Sequence, residues 1–182
     1  NGQSISGFPE SFGSGFFRAE FFGVQPVPML VMIVVGLCGW FVLTRTVFGR
    51  HTFAIGGNEI AAKYAGIPVG LTKIKLFVIC GGLAGLSSAM PLGYYGAGAS
   101  TGGQGYELSV IAAAVVGGAS LSGGRGSALG AVLGAVVIQL IDNSILMLDI
   151  NQSYNEIVIG LAIVIAVVVD QAKNRLAAGG RK

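Results

Sequence analysis

Apolar residues in this sequence occur in long runs that short polar segments separate. Five intervals carry almost no charge, and they span residues 21–44, 76–106, 108–124, 127–148 and 157–169. A helix of about 20 apolar residues crosses a hydrocarbon core of about 30 Å. The third and fifth intervals are short, so we expect them to recruit flanking residues or to pack inside the protein. The pattern predicts an all-α polytopic membrane protein with about five transmembrane or membrane-embedded helices.

Composition excludes several other classes of protein. The 182 residues are 53% hydrophobic and 10% charged, and the mean hydropathy is +0.76. Soluble domains carry about 25% charged residues, so a soluble globule and a disordered tail are both disfavoured. The net charge is +3 and the basic residues are scattered, which argues against a nucleic-acid partner. Cys38 and Cys80 are too far apart to suggest a metal or redox pair.

The basic residues predict the orientation of the five segments. If the first segment runs inward and the others alternate, 10 of the 11 lysines and arginines lie inside, and only Arg18 lies outside. This topology has an outer loop at 1–26, a transmembrane domain at 27–172 with a cytoplasmic loop at 45–73, and a cytoplasmic tail at 173–182. Residues 1–26 do not resemble a signal peptide. We expect the chain to be the C-terminal part of a longer protein.

The cytoplasmic loop contains the signals of a short helix. Asn58 can cap the helix N-terminus, and Glu59 suits its positive end. Gly66 suits a left-handed C-terminal stop, and Pro68 prevents continuation. The predicted helix has about two turns, which are not stable alone. We therefore expect it to lie against another surface.

One face of this predicted helix is apolar. Ile60, Tyr64 and Ile67 recur at spacings of four and three residues, and Glu59 and Lys63 flank them. Two interpretations remain open: a connecting helix that lies on the membrane surface, or a docking element for a cytoplasmic partner.

Glycines within the apolar segments predict close helix packing. Gly126, Gly130 and Gly134 are four residues apart in the fourth segment, and Gly81 and Gly85 repeat this spacing in the second. Small residues on one face allow helix backbones to approach each other in a membrane. These five glycines are therefore predicted to be packing positions.

Two denser glycine clusters, at 93–105 and 117–126, require a different explanation. Neither contains the G-x-x-x-x-G-K-[ST] pattern of a phosphate-binding loop. Broken helix ends that line a cavity explain both clusters, as in transporters, and simple loops are the alternative.

A group of polar residues lies on one face of the fourth segment. Gln139, Asp142 and Asn143 are spaced by three and one residues. Polar groups inside a membrane are costly, about 3 kcal/mol for a central aspartate, and often mark solute paths. The two interpretations are an interhelical hydrogen-bonding cluster and the lining of a solute pathway. The sequence contains no catalytic constellation and no G-x-S-x-G nucleophile motif.

Two long stretches, FGRHTFAIGGNEIAAKYAGIPVGLTKIKLFVICGGLAGLSSAM at 48–90 and GYELSVIAAAVVGGASLSGGRGSALGAVLGAVV at 105–137, resemble a known family. They resemble the permease subunits of bacterial sugar ABC importers of the ribose, xylose and arabinose type. The wider group includes branched-chain amino-acid permeases. The resemblance extends from Gly7 to about Asp170.

The resemblance implies a function and a set of partners. The family's permeases pair in the bilayer, usually as homodimers, receive solute from a periplasmic binding protein and are driven by a cytoplasmic ATPase. That partner uses ATP and Mg, so we expect no cofactor on this chain and no enzymatic activity of its own. The implied function is inward movement of a monosaccharide across the inner membrane by alternating access, with the C-terminus cytoplasmic. A passive channel or facilitator, a membrane-embedded enzyme, and an ABC permease for an amino acid or nucleoside are the alternatives.

The resemblance also favours the docking interpretation of the short helix. Glu59, Ala61, Ala62 and Gly66 fit an E-x-A-A-x-x-x-G pattern, which departs from the related E-A-A motif at Ile60. By resemblance, the residues that couple to the ATPase are Asn58, Glu59, Ile60, Ala61, Ala62, Tyr64 and Gly66.

Overall fold

The computed structural model describes residues 5–6, 26–98, 102–148 and 153–179. Seven helices lie within these ranges: α1 (Val27–Arg45), α2 (Val47–Gly57), α3 (Glu59–Tyr64), α4 (Val69–Tyr95), α5 (Tyr106–Val116), α6 (Ala128–Met147) and α7 (Ser153–Gly179). Two short strands, β1 (Ile5–Ser6) and β2 (Ala97–Gly98), pair antiparallel. The prediction of an all-α polytopic membrane protein is confirmed. Most of the predicted outer loop, together with 180–182 of the predicted tail, lies outside the described residues.

Three helices in the described part of the chain are long and apolar enough to cross a membrane. They are α1 with 19 residues, α4 with 27 and α6 with 20. Helix α1 buries no residue within this chain, and large side chains such as Leu37 and Phe77 are exposed. Exposed apolar side chains along a whole span match a helix whose surroundings are lipid or other membrane helices.

The described parts of the chain form two compact units. One comprises 1–38 with 68–104, and contains α4 and the strand pair. The other comprises 39–67 with 105–182, and contains α2, α3 and α5–α7. The tightest packing in this second unit is among α5, α6 and α7, around Ala112, Ala113, Ile138 and Ile159.

Helix α5 is the short third segment of the sequence, and it does not extend as far as its apolar interval. It ends at Val116 after 11 residues, which is about 16 Å or half of a hydrocarbon core. Ala112, Ala113 and Val115 are buried. The third segment therefore forms a short helix that packs inside the protein, and the chain continues as a glycine-rich loop. The fifth segment instead gains length at both ends, because α7 extends from Ser153 to Gly179.

Helix α2 was not predicted from the sequence, which suggested only one helix in the loop at 45–73. Thr46 separates α2 from α1, and its Oγ1 accepts a hydrogen bond from the Gly49 amide at 3.2 Å. A side chain at Gly49 would collide with the backbone carbonyls of Val42 and Leu43. The glycine therefore permits a sharp junction, although glycine is a poor helix former.

Candidate functional site

The short helix α3 is terminated as its sequence predicts. The side-chain oxygen of Asn58 accepts a hydrogen bond from the Ala61 amide at 2.9 Å, and this caps the N-terminus. The chain leaves the helix through Gly66, which has a φ of +80°. The Ile67 amide then donates to the Ala62 carbonyl at 3.1 Å. Both ends of a helix of only six residues are therefore fixed by local bonds.

Two of the three residues of the predicted apolar face are exposed, and the third, Ile67, is half-buried. Ile60 is 69% exposed and Tyr64 is 88% exposed. Ala62, by contrast, is 4% exposed, and α3 packs on α2. The structure thus separates Ala62 from the other predicted coupling residues: its side chain packs inside the protein, whereas Ile60, Ala61 and Tyr64 remain open to a partner.

The end of α2, immediately before α3, contacts the glycine-rich loop at 117–127. A methyl group added at Gly56 would lie 2.6 Å from the Gly124 nitrogen. Conversely, a methyl group added at Gly124 would lie 2.8 Å from the Gly57 Cα. Two backbones therefore touch directly, without side chains between them. The sequence did not predict that the pair Gly56–Gly57 would contact the glycine-rich loop.

The loop at 117–127 has a defined internal structure and a defined attachment. The Ser120 amide donates to the Arg125 carbonyl at 3.0 Å, and the Gly123 amide donates to the Ser120 carbonyl at 3.0 Å. The Ser120 hydroxyl donates to Asp170 Oδ2 on α7 at 2.8 Å. Arg125 forms a longer ion pair with Asp170, at 3.9 Å. Backbone bonds thus define the shape of the loop, and side-chain bonds join it to Asp170 in the C-terminal half of α7.

An open groove of about 550 Å³ lies beside this loop and is walled by α5, α6 and α7. Its walls are mainly apolar, with side chains such as Val115, Ile141 and Val169. Its polar end consists of Ser120, Arg125 and Asp170. The cluster at 117–126 is therefore a structured loop that borders this groove, and the choice between the two interpretations stays a prediction. The cluster at 93–105 is described only in part, because 99–101 lie outside the described residues.

Sequence reasoning did not select Ser120, Arg125 and Asp170 as a group. One signal was present: the predicted topology placed Arg125 and the end of the fifth segment on the same side of the membrane. Opposite charges that flank two neighbouring apolar segments on one side are candidates for an ion pair.

The polar residues of α6 occupy one face, but they are not all bonded to each other. Gln139 Nε2 donates to Asn143 Oδ1 at 3.5 Å, and both side chains are exposed. Asp142 Oδ1 is buried and has no hydrogen-bond partner among the described residues. A buried carboxylate oxygen without a partner is costly, so this position is suited to a polar group from outside the described chain.

The five predicted packing glycines fall into two groups. Gly130 and Gly134 lie against the end of α5, where a methyl group would collide with the backbone carbonyls of Gly117 and Ala113 respectively. A methyl group at Gly126 would lie 3.3 Å from the Ala119 Cβ. At Gly81 and Gly85 it would meet no atom within 4 Å in the described part of the chain. The packing role of these two α4 glycines stays a prediction.

Metal-binding chemistry has no support in the described residues. No group of three or more His, Cys, Asp or Glu side chains there could hold a metal ion. Cys38 and Cys80 are both free thiols, and both are exposed.

Comparisons with known proteins agree with the resemblance drawn from residues 48–90 and 105–137. Residues 1–167 match the family described as the branched-chain amino acid transport system / permease component. The chain is 38% identical to the ribose import permease protein of Bacillus subtilis over 174 residues, which are 96% of this chain and 54% of that protein. It is 40% identical to the xylose transport system permease protein of Haemophilus influenzae over 163 residues, 90% of this chain and 43% of that protein.

These matches confirm the similarity to sugar permeases, and they also show its extent. A third relative, the ribose import permease protein of Escherichia coli K12, is 38% identical over 81% of this chain and 46% of its own length. The chain spans about half the length of the curated relatives that it matches. No solved structure matches it. The family match covers most of the chain, and we conclude that this multi-pass membrane protein belongs to the family described as the branched-chain amino acid transport system / permease component, whose members include the sugar permeases that it matches.

Proposed function

We propose that this chain is part of the membrane permease of an ATP-driven importer that moves a monosaccharide inward by alternating access. The observation that carries the proposal is α3, a capped helix whose apolar face is exposed at Ile60 and Tyr64. Such a face favours a protein partner over a passive pore, because exposed apolar side chains next to each other mark an interaction surface, which a passive pore does not need in its loop. The resemblance to the permeases of sugar ABC importers supplies the class of this partner, a cytoplasmic ATPase.

The proposed partners follow from the family. A cytoplasmic ABC ATPase binds α3, a periplasmic binding protein delivers the solute, and a second permease subunit completes the membrane pathway. Large apolar side chains of α1 and α4 are exposed, and lipid or the second subunit covers them. The open faces of Gly81 and Gly85 on α4 allow close approach of such a subunit.

The proposed orientation places the C-terminus in the cytoplasm. One observation supports it: the end of α2, the loop around Gly124 and Asp170 on α7 all meet within one compact unit. The charge partition of the sequence places the same three segments on one side of the membrane. Lys173 and Arg175, which follow Asp170, add to the positive charge on that side.

The proposed solute pathway includes the polar face of α6. Gln139 and Asn143 offer exposed amides, and Asp142 has a buried oxygen that lacks a partner in the described residues. Amide and carboxylate groups are suited to the hydroxyl groups of a sugar because they provide both donors and acceptors. The relatives are named for ribose and xylose transport, which makes a pentose the first solute to test.

Reconstitution tests this function directly. The complete permease is placed in liposomes with its ATPase and binding protein, and uptake of labelled ribose, xylose and leucine is measured with and without ATP. We expect ATP-dependent uptake of a sugar. ATP-independent uptake down a gradient would identify a facilitator, and ATP-dependent uptake of leucine alone would assign a different solute class.

Cross-linking tests the docking role of α3. In a permease whose Cys38 and Cys80 are replaced by serine, a cysteine is introduced by Ala61→Cys. A second cysteine is placed on the surface of the ATPase that faces the permease. We expect a disulfide between them. Ala62→Cys is the matched control, because the neighbouring side chain is buried and cannot reach a partner. Absence of the Ala61→Cys cross-link across several ATPase positions would contradict the docking role.

A further inference from the structure

The contact between α2 and the glycine-rich loop leaves no room for a side chain at Gly56 but leaves room for one at Gly57. An added methyl group at Gly56 would lie 2.6 Å from the Gly124 nitrogen and 3.2 Å from its Cα. At the adjacent Gly57 it would meet nothing within 4 Å in the described residues. Since real Cβ atoms essentially never approach other atoms within 3.0 Å, Gly56 is required to be a glycine in this arrangement, whereas Gly57 tolerates alanine.

The loop side of the contact also depends on glycine. Gly123 has a φ of +87° and Gly124 a φ of +73°, which are values that residues with a side chain adopt only with strain. An added methyl group at Gly124 would lie 2.8 Å from both the Cα and the nitrogen of Gly57. The contact therefore joins backbone to backbone, so no flexible side chain lies between them to absorb a small displacement.

The same loop is bound to α7 on its other side. The 2.8 Å hydrogen bond from the Ser120 hydroxyl to Asp170 has a charged acceptor, which makes it stronger than a neutral bond. The ion pair with Arg125 is longer and lies at an exposed side chain, so its own contribution is small. The path from α3 to α7 thus comprises one backbone contact and one short hydrogen bond.

We infer that this path is the connection through which displacement of the docking helix reaches α7 and the groove beside it. The inference rests on the proposed function, since it requires a partner that moves α3. Gly56 and Gly124 act as positioning residues: they keep α2 and the loop in contact. Ser120 and Asp170 carry the displacement from the loop to α7, because tightly packed elements move together.

A pair of alanine variants in the complete, reconstituted transporter tests the contact. Gly56→Ala should lower the number of solute molecules imported per ATP hydrolysed by about tenfold, because the loop must move away from α2. Gly57→Ala should keep the wild-type ratio, since both variants gain the same helix propensity and only the first meets the loop. The ATPase rate and the yield of the assembled complex are measured for each variant.

The number of solute molecules imported per ATP hydrolysed distinguishes a defect in transmission from a general loss of structure. Equal ratios in the two variants would overturn the inference, and so would a Gly56→Ala defect in which uptake and ATPase rate fall together. If the Gly56→Ala transporter does not assemble, Ser120→Ala tests the path instead, because it removes the hydrogen bond to Asp170. Ser122→Ala on the same loop is its control, because Ser122 is exposed. Ser120→Ala must then lower the ratio and Ser122→Ala must not. A wild-type complex without ATP-dependent uptake would refute the proposed function itself, whereas normal wild-type uptake with equal ratios refutes the inference alone.

Discussion

The close packing of α5 on α6 leaves no room for a single added methyl group at Gly134. A Cβ at Gly134 would collide with the Ala113 carbonyl oxygen, and would lie 2.8 Å from the Gly117 nitrogen and 2.9 Å from the Ala113 carbon. Ordinary van der Waals contact begins at about 3.4 Å. All three atoms belong to the backbone, so they cannot rotate away as a side chain would. Helices α5 and α6 must separate to accept alanine.

The size of the effect follows from two opposing terms. Overpacking of a tight contact costs about 1–3 kcal/mol, and we expect the upper part of that range where backbone atoms are involved. Replacement of a helical glycine by alanine returns about 1 kcal/mol of helix propensity. Gly160→Ala on α7 is the matched control, because its methyl group would meet no described atom within 4 Å. The two variants share the propensity gain, so their difference in stability measures the contact alone.

Thermal inactivation of the complete permease in detergent measures this difference. The fraction of protein that remains monodisperse in size-exclusion chromatography is followed as a function of temperature. We expect Gly134→Ala to lose half of its monodisperse fraction a few degrees below Gly160→Ala. A difference of 1 kcal/mol corresponds to about 2–4 °C for 150–250 residues and to less in a longer protein such as the complete permease. If the two variants inactivate at the same temperature, the proposed contact between the two helix backbones is not present in the folded protein.

Three further predictions concern docking, pathway and orientation. Asn58→Ala removes the cap of α3 and should weaken ATPase binding about fivefold, for a cap worth about 1 kcal/mol, whereas Asn58→Ser should keep wild-type affinity; equal affinity of both variants would contradict the role of the cap. Asp142→Ala should lower solute uptake more than complex assembly, and uptake at the wild-type rate would show that this face of α6 does not line the pathway. A protease-cleavable tag after Lys182 should be protected in intact cells stripped of their outer membrane, and cleavage from outside would reverse the predicted topology.

Local chemistry made the short helix α3 predictable. The Asn58 cap and the Gly66 stop are determined by residues adjacent in sequence, and each forms the interaction that its residue type favours. The apolar intervals located α1, α4 and α6 for the same reason, because the thickness of a bilayer fixes the length of a span. Signals of this kind need no knowledge of the tertiary structure.

Helix α2 and the end of α5 were harder to predict because tertiary packing determines them. Glycines at 49, 56 and 57 lower the intrinsic helix propensity of α2, yet two of them are required by close contacts with α1 and the loop. The apolar interval of α5 continues to residue 124, but the helix stops at Val116, where Gly117 meets the backbone of α6. Hydropathy alone does not distinguish an apolar helix from an apolar loop.

Contacts between distant residues explain why the site around Asp170 was not predicted. Ser120 and Asp170 are 50 residues apart, and no local pattern links them. The contact between Gly56 and Gly124 was unpredictable for the same reason, because no local pattern links the end of α2 to the glycine-rich loop. The distribution of charges was the one sequence signal that reduced the number of segment pairs able to meet, since it indicated which segments share a side of the membrane.

The position of α3 within the fold supports the proposed coupling to a partner. A helix of six residues can transmit a displacement only if it packs against a neighbouring element, because so short a helix is not stable by itself. Here α3 packs on α2, and its Ala62 is buried. The end of α2 contacts the glycine-rich loop, and the Ser120 hydroxyl joins this loop to α7 by a hydrogen bond. Helix α7 in turn packs with α5 and α6 around Ile159. A displacement at α3 therefore acts on the most closely packed part of the described chain, whereas α1, which buries no residue in this chain, offers no comparable support.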